Sequence, residues 1–252
     1  MMSVPCVVLV TAKINMRGAY HPAYLLHSRP FQDDKLLLDL LLQDGGRVRA
    51  VARRPSKKKG GRSQWPLFTL CQIQLGGRGE LKTVLAIEES TVMVQLQAEF
   101  LFSAFYLNEL ICRIWPVDAH SDGLFGLYQQ SLHNLARYQG DPPMLQPILR
   151  QFEFAILAEL GIAVDFSADA FDVPLSAETY YHWHAEQGFV PAVQGFLGAD
   201  LQAVAAGSWT LASLRCAKQL TRTLLKPLLG TQPLKSRALF ADVTSESGGH
   251  LT

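Results

Sequence analysis

The stretch KLLLDLLLQDGGRVRAVARR, residues 35–54, decides how the first third of the chain folds. On propensity alone its leucine-rich half reads as helix. Asp44, Gly45 and Gly46 follow it directly as a turn signal. Beyond the turn, Arg47, Arg49 and Arg53 alternate with Val48, Ala50 and Ala52, which is the period of two that belongs to a strand. With such neighbours and two glycines at its end, KLLLDLLLQ is expected to be a strand as well.

Working outward, the same texture continues on both sides. AYLLHSR, KLLLDLLLQ, GRVRAVARR, TLCQIQLGG and ELKTVLAIEE are five short apolar or β-branched runs between about residues 23 and 90. Arg29-Pro30, Asp44-Gly45-Gly46, a basic loop and Gly76-Gly77-Arg78-Gly79 separate them. Five strands in so short a span imply a small closed barrel, of the OB or the SH3-like type.

After Ser90 the period lengthens. LQAEFLFSAFYLNELICRIWP (96–116) places Phe100, Ser103, Ala104, Leu107, Leu110, Ile111 and Ile114 on one helical face, and Pro116 ends it. SDGLFGLYQQSLHNLARYQG (121–140) and PMLQPILRQFEFAILAELGI (143–162) carry helix start and stop signals. TYYHWHAEQGFVPAV reads as a hairpin turning at Glu186-Gln187-Gly188, within an insert at about 165–195. SWTLASLRCAKQLTRTLLKPLLG (208–230) reads as a last helix burying Leu211, Leu214, Leu220, Leu224, Leu225 and Leu228. The expected class is therefore α+β: a five-stranded barrel over 21–90, then a helical domain over 91–240 with a small β-hairpin insert. Residues 1–20 read as a poorly ordered extension, with Met16 a candidate natural start, and 241–252 as a flexible tail.

Cys6, Cys71, Cys112 and Cys216 are scattered, with no CxxC, so neither a zinc knuckle nor a disulfide framework is indicated. No apolar run approaches the roughly 20 residues of a membrane span. No basic residue precedes the short apolar stretch at the start, which argues against a signal peptide. The expected location is cytoplasmic. Charge is nearly balanced at +1 overall but strongly segregated. Residues 47–82 hold ten basic side chains against Glu80 alone, a net of +9. Residues 83–209 hold three basic against fifteen acidic, a net of −12, and residues 210–240 hold six basic and no acidic. Two basic islands around an acidic middle point to a polyanionic partner.

In the first island, Arg47, Arg49 and Arg53 are expected to share one strand face. Arg54, Lys57, Lys58, Lys59 and Arg62 extend it into a pliable loop, and Lys82 lies just beyond. Such a row can follow the phosphates of a nucleic acid while releasing its counterions. Trp65 and Phe68 offer faces for base stacking, although Trp65 equally suits a plug at the barrel end. In the second island, Arg215, Lys218, Arg222 and Lys226 recur at spacings of three and four and form a stripe opposite the leucines. Its candidate ligands are DNA or an acidic peptide, the blander alternative being a solvated face that meets the acidic middle segment within the fold.

Catalytic signatures are sparse. GGRGE (76–80) lacks the lysine and hydroxyl of a phosphate loop and reads as a hairpin turn. His182 and His184 share a strand face without nearby cysteines, a weak basis for metal. Asp33 and Asp34 are adjacent, so on a strand they point apart. No GxSxG, HExxH or Cys–His signature appears, and neither an enzyme, a cofactor nor a metal is expected.

YLLHSRPFQDDKLLLDLLLQDGGRVRAVARR, LGGRGELKT, YLNELICRI, RQFEFAILAELG and KQLTRTLLKPLLGTQPLKSRALF occur in order from about residue 21 to 240. Together they resemble the RecO family of bacterial DNA repair proteins. The resemblance implies an N-terminal OB-fold, a helical C-terminal domain and no bond-breaking catalysis. It implies binding of single- and double-stranded DNA, annealing of complementary strands and, with RecR, loading of RecA onto DNA covered by single-stranded DNA-binding protein. It also implies that Arg150 meets the acidic tail of that protein, with Leu149 and Phe152 lining a pocket and Lys218 and Arg222 assisting. A monomer is expected. The rival reading is an adaptor whose basic islands take only acidic peptides.

One departure stands out. Many RecO proteins carry four zinc-binding cysteines after the segment matching residues 161–166, whereas no cysteine lies between Phe152 and Gln202 here. Packing must then hold the insert, with Phe171, Tyr180, Tyr181, Trp183 and Phe189 as the candidates.

Overall fold

A computed structural model of the chain describes residues 18–44, 46–54, 65–93, 96, 98–138 and 145–236, the side chains of 90–93, 98 and 99 excepted. Five strands come first: β1 (Tyr20–Phe31), β2 (Lys35–Leu42), β3 (Gly46–Arg53), β4 (Thr69–Gly76) and β5 (Leu81–Met93). They close into a barrel in the order β1-β2-β3-β5-β4, antiparallel except for the parallel β3–β5 pair. This is the OB-like arrangement, and the leucine run 35–42 is strand β2.

Why leucine settles into strand here follows from the two-sided burial of β2. Leu38, Leu40 and Leu42 point into the barrel with Val48, Ala50, Ala52, Cys71, Ile73 and Leu75. Leu37 and Leu41, on the opposite face, are buried too. A strand covered on both faces reads as continuous apolar sequence and loses the alternation that would mark it. Helix α1 (Ala98–Ile114) packs on the neighbouring strand β1. Its buried face includes all seven positions expected from the sequence, from Phe100 to Ile114.

The described residues fall into two compact units. One comprises those up to Tyr138 together with those from Pro233 onward, and the other comprises those between. The last barrel strand ends at Met93, but the compact unit continues: α1 and α2 (Leu124–Arg137) belong with the barrel. Side chains explain the attachment. Asn108 Nδ2 donates to the Leu26 carbonyl at 2.8 Å, and the Tyr128 hydroxyl donates to Asn108 Oδ1 at 2.6 Å. The Tyr24 ring packs edge-on to Tyr128. Gly46, at φ +63°, lies so close to the Ala119 carbonyl that a Cβ would sit 2.0 Å from its oxygen. No other residue fits the start of β3 without moving the α1–α2 connection.

Residues beyond Pro233 return to this unit through Glu109. Its carboxylate accepts from the Lys235 N–H, the Ser236 N–H and Ser236 Oγ at 2.6–2.8 Å. Burial works against the Glu109 carboxylate, but these three donors and Arg113 outweigh it and hold its pKa below the ordinary value.

The second unit holds α3 (Gln146–Glu159), a three-stranded sheet of β6 (Tyr180–His184), β7 (Gly188–Ala192) and β8 (Phe196–Leu197), then α4 (Gly198–Ala205) and α5 (Leu211–Leu229). The β6–β7 hairpin turns where the sequence indicates it. Phe189 is its anchor, 1% exposed, with the rings of Phe166, Tyr181 and Trp183 around it at 5.1–6.3 Å. Phe171 and Tyr180 do not join this cluster, contrary to expectation, and are exposed at 69% and 43%. Phe171 lies in a loop whose N–H groups are tied to the Asp169 carboxylate, and Tyr180 faces outward on β6. Helix α5 opens with a reciprocal cap between Thr210 and Ser213. It buries Leu214, Leu220, Leu224 and Leu225, while Leu211 is 72% exposed because the first helical position lies off the packed face. Helix α4 is an addition to the elements expected from the sequence.

Candidate nucleic-acid interface

On β3 the arginines do not share one environment. Arg47 is 5% exposed and belongs to the interior of the first unit. Its Nη2 and Nε both donate to Asp39 Oδ1, at 2.6 and 3.1 Å, and Nη1 donates to the Trp115 carbonyl at 2.9 Å. Arg47 is therefore a correction: it neutralises a buried carboxylate and joins β3 to the end of α1, and offers no free charge to a ligand. Asp39 lies opposite Arg49 in the β2–β3 register, and Arg49 Nε stands 3.5 Å from the same oxygen. Arg49 nevertheless keeps nearly half its side chain in solvent. Cys112, beside this cluster, has its thiol pushed up to about 12 by burial.

Arg53 and Arg54 are exposed at the end of β3 and make no ion pair among the described residues. Lys57, Lys58, Lys59 and Arg62 lie outside the described residues. Lys82, half-buried at the start of β5, donates to the Gly79 carbonyl at 2.8 Å. It attracts Asp118, whose pKa is raised chiefly by burial.

The two aromatic candidates pack inward. Trp65 lies against the barrel core, which is the plug reading. Phe68 is buried with its ring edge-on to Phe105 at 5.2 Å. Phe68 therefore offers no free stacking face, and Trp65 is half-buried.

The residues expected to meet an acidic tail also need correction. Arg150, Leu149 and Phe152 are all buried. Arg150 Nη2 sits 2.8 Å from Glu153 Oε1, and Nη1 donates to Thr221 Oγ1 at 3.0 Å. The guanidinium ties α3 to α5 from within. A cation placed mid-helix beside apolar neighbours looks the same in sequence whether it points out or in; the signal that separates them is Glu153, three residues on and able to pair with it.

Beside them, an open apolar groove of about 480 Å³ lies between α3, α4 and the segment leading to α5. Gln151, Phe154, Ala155, Phe166, Val204 and Trp209 line it. From there α5 presents Arg215, Lys218, Arg222 and Lys226, all exposed along one stripe. Arg215, Arg222 and Lys226 make no ion pair among the described residues, so no acid described there neutralises them. His182 and His184 are exposed on β6, and no group of three metal-ligating side chains occurs among the described residues. No helix among them is long and apolar enough to cross a membrane.

The fold is thus an OB-like barrel continued by helices, with exposed cations on both units. Residues 16–91 match the family described as recombination protein O N terminal, and residues 97–238 match recombination protein O C terminal. The chain belongs to the RecO family of DNA repair proteins. It is 44% identical over 235 residues to a DNA repair protein RecO of Cellvibrio japonicus, covering 89% of this chain and 98% of the relative. It is 39% identical to one from Pseudoalteromonas translucida, covering 90% and 99%. A third, from Escherichia coli K12, is 37% identical over 86% of this chain and 92% of its own length. The role that follows is in DNA repair and recombination.

Proposed function

We propose that this chain is a recombination mediator working in the cytoplasm: it binds single- and double-stranded DNA, anneals complementary strands and helps RecA replace single-stranded DNA-binding protein, with RecR as a partner and no bond-breaking step of its own. The observation that carries this reading is the pair of exposed basic surfaces. One holds Arg49, Arg53 and Arg54, which precede the lysines at 57–59 in the sequence; the other is the α5 stripe. Neutralising phosphates on two strands lowers their repulsion and lets pairing nucleate.

The acidic tail of single-stranded DNA-binding protein is assigned to the second unit. Arg150 is internal, so the cations that greet the tail are Lys218 and Arg222, and the groove beside Phe154 and Trp209 takes an aromatic side chain. Arg150, Leu149 and Phe152 form the support beneath.

A strand-annealing assay, with and without single-stranded DNA-binding protein, tests the reading directly. Annealing that accelerates in both conditions is expected; no acceleration in either overturns it. Replacing Lys57, Lys58 and Lys59 with Glu separates the adaptor reading. DNA affinity should fall while affinity for the acidic tail peptide survives, and the reverse outcome favours the adaptor.

A further inference from the structure

The exterior of the barrel is not uniform. The middle of β1, from Ala23 to Leu26, and most of β2 are covered, whereas the outward face running β3–β5–β4 is largely open among the described residues. Along β4 it carries Gln72 and Gln74, and along β3 Arg49 and Arg53. Between them, on β5, it carries Leu81 and Leu85, which are 45% and 59% exposed. Thr83, also exposed, separates them.

Two features of the strands produce this placement. Arg49 and Leu81 are register partners in the parallel β3–β5 pair, and Val51 partners Thr83. The β4–β5 register breaks so that Gln74 faces Ala86 while Leu75 faces Val84, leaving Leu85 as the extra, bulged residue. Its side chain lies over Gly76, where a Cβ would come within 3.1 Å of Leu85 Cδ1. Glycine at 76 therefore leaves the space that Leu85 occupies.

We infer that Leu81 and Leu85 form an apolar rest for the unstacked bases of a single strand whose phosphates are held by Arg49 and Arg53. This inference rests on the DNA-binding reading above and deepens it. A closed barrel offers a ligand its faces and no free strand edge. On this face, apolar surface stands beside cations, with Leu81 in register with Arg49: charge for the backbone, and an aliphatic surface on which unstacked bases bury area. The contact is an apolar one to base faces, which a duplex keeps stacked inside. It therefore favours single strands and adds affinity that salt does not screen.

The test uses the full chain, with fluorescence anisotropy on an oligothymidylate and on a duplex of equal length, across a salt series. L81S/L85S should lower oligothymidylate affinity about five- to tenfold, the loss of the apolar area that the two leucines would bury against bases. Its duplex affinity, salt slope and thermal midpoint should match the parent chain. L85W should raise single-strand affinity, and its added fluorescence should be quenched on binding. Equal losses on both DNAs, or unchanged single-strand affinity in both variants, overturns the inference and leaves DNA binding itself standing. A parent chain that binds neither DNA overturns the DNA-binding reading, and this one with it.

Discussion

Asn108 on α1 donates to the carbonyl of Leu26, and Leu26 is the residue that drops out of register between β1 and β2. The β1–β2 pairing steps from Leu25 opposite Leu40 to His27 opposite Asp39, so the bulge turns one backbone carbonyl away from the ladder. A helix side chain satisfies it, and the barrel thereby acquires α1 as a fixed cover. Asn108→Ala should destabilise the chain by about 2 kcal/mol, because the Leu26 carbonyl and the Tyr128 hydroxyl both lose a buried partner. Chemical denaturation measures this; an unchanged midpoint would contradict it.

Arg47 and Arg49 are two residues apart and should respond differently to removal. Arg47→Ala strands the buried Asp39 carboxylate and should cost about 3 kcal/mol or more in folding stability. Arg49→Ala, at a half-exposed position 3.5 Å from Asp39, should cost under about 1 kcal/mol. Single-strand affinity measured on the folded proteins should fall in Arg49→Ala and hold in Arg47→Ala. The opposite ranking in either measurement contradicts the assignment of Arg47 to the interior.

Glu109 predicts a pH dependence of known sign. Its folded pKa is depressed, so its contribution to stability is complete above the ordinary carboxylate value and is lost as pH falls through the depressed one. Glu109→Gln should therefore lower the thermal midpoint at pH 7, and the gap to the parent chain should close as the solution is taken into acid. A gap that stays constant down to pH 3 would show that the three bonds to Lys235 and Ser236 matter only as packing.

Cys112 and Cys216 have thiols pushed up to about 12, in both cases first by burial. Neither should form a thiolate at pH 8, so alkylation followed by peptide mass spectrometry should find both largely unmodified in the folded chain and rapidly modified in denaturant. Fast native labelling at Cys112 would mean that α1 does not stay seated over Arg47 and Asp39.

Much of the fold is legible in the sequence because it is written in periods. The arginine alternation at 47–53 and the flanking glycines identify β3, and through it β2, although a strand buried on both faces carries no alternation of its own. The helical faces of α1 and of most of α5 are legible for the same reason. The interface is less so. Whether a strand arginine faces water depends on what covers the sheet, and the cover over Arg47 comes from residues near 115, far along the chain. Arg150 reads as a surface cation for a similar reason, since its partner Thr221 lies 71 residues away. Leu85 shares the outward parity of Leu81 and Thr83, but a register slip that sequence does not mark turns Ile87, of the same parity, against the core and hides the alternation. Helix α4, only eight residues long with one acid in its first turn, has too few turns for its period to show.

Whether the cations leaving β3 hold a polynucleotide backbone is decided most directly by the salt dependence of single-strand affinity. With six phosphates neutralised, the slope of log affinity against log salt should be about −4 to −5. Replacing Arg49, Arg53, Lys57, Lys58 and Lys59 with Glu should weaken binding and flatten the slope by about 0.7 for each phosphate left without its cation. An affinity indifferent to salt, or a slope that survives the five replacements, would contradict that role.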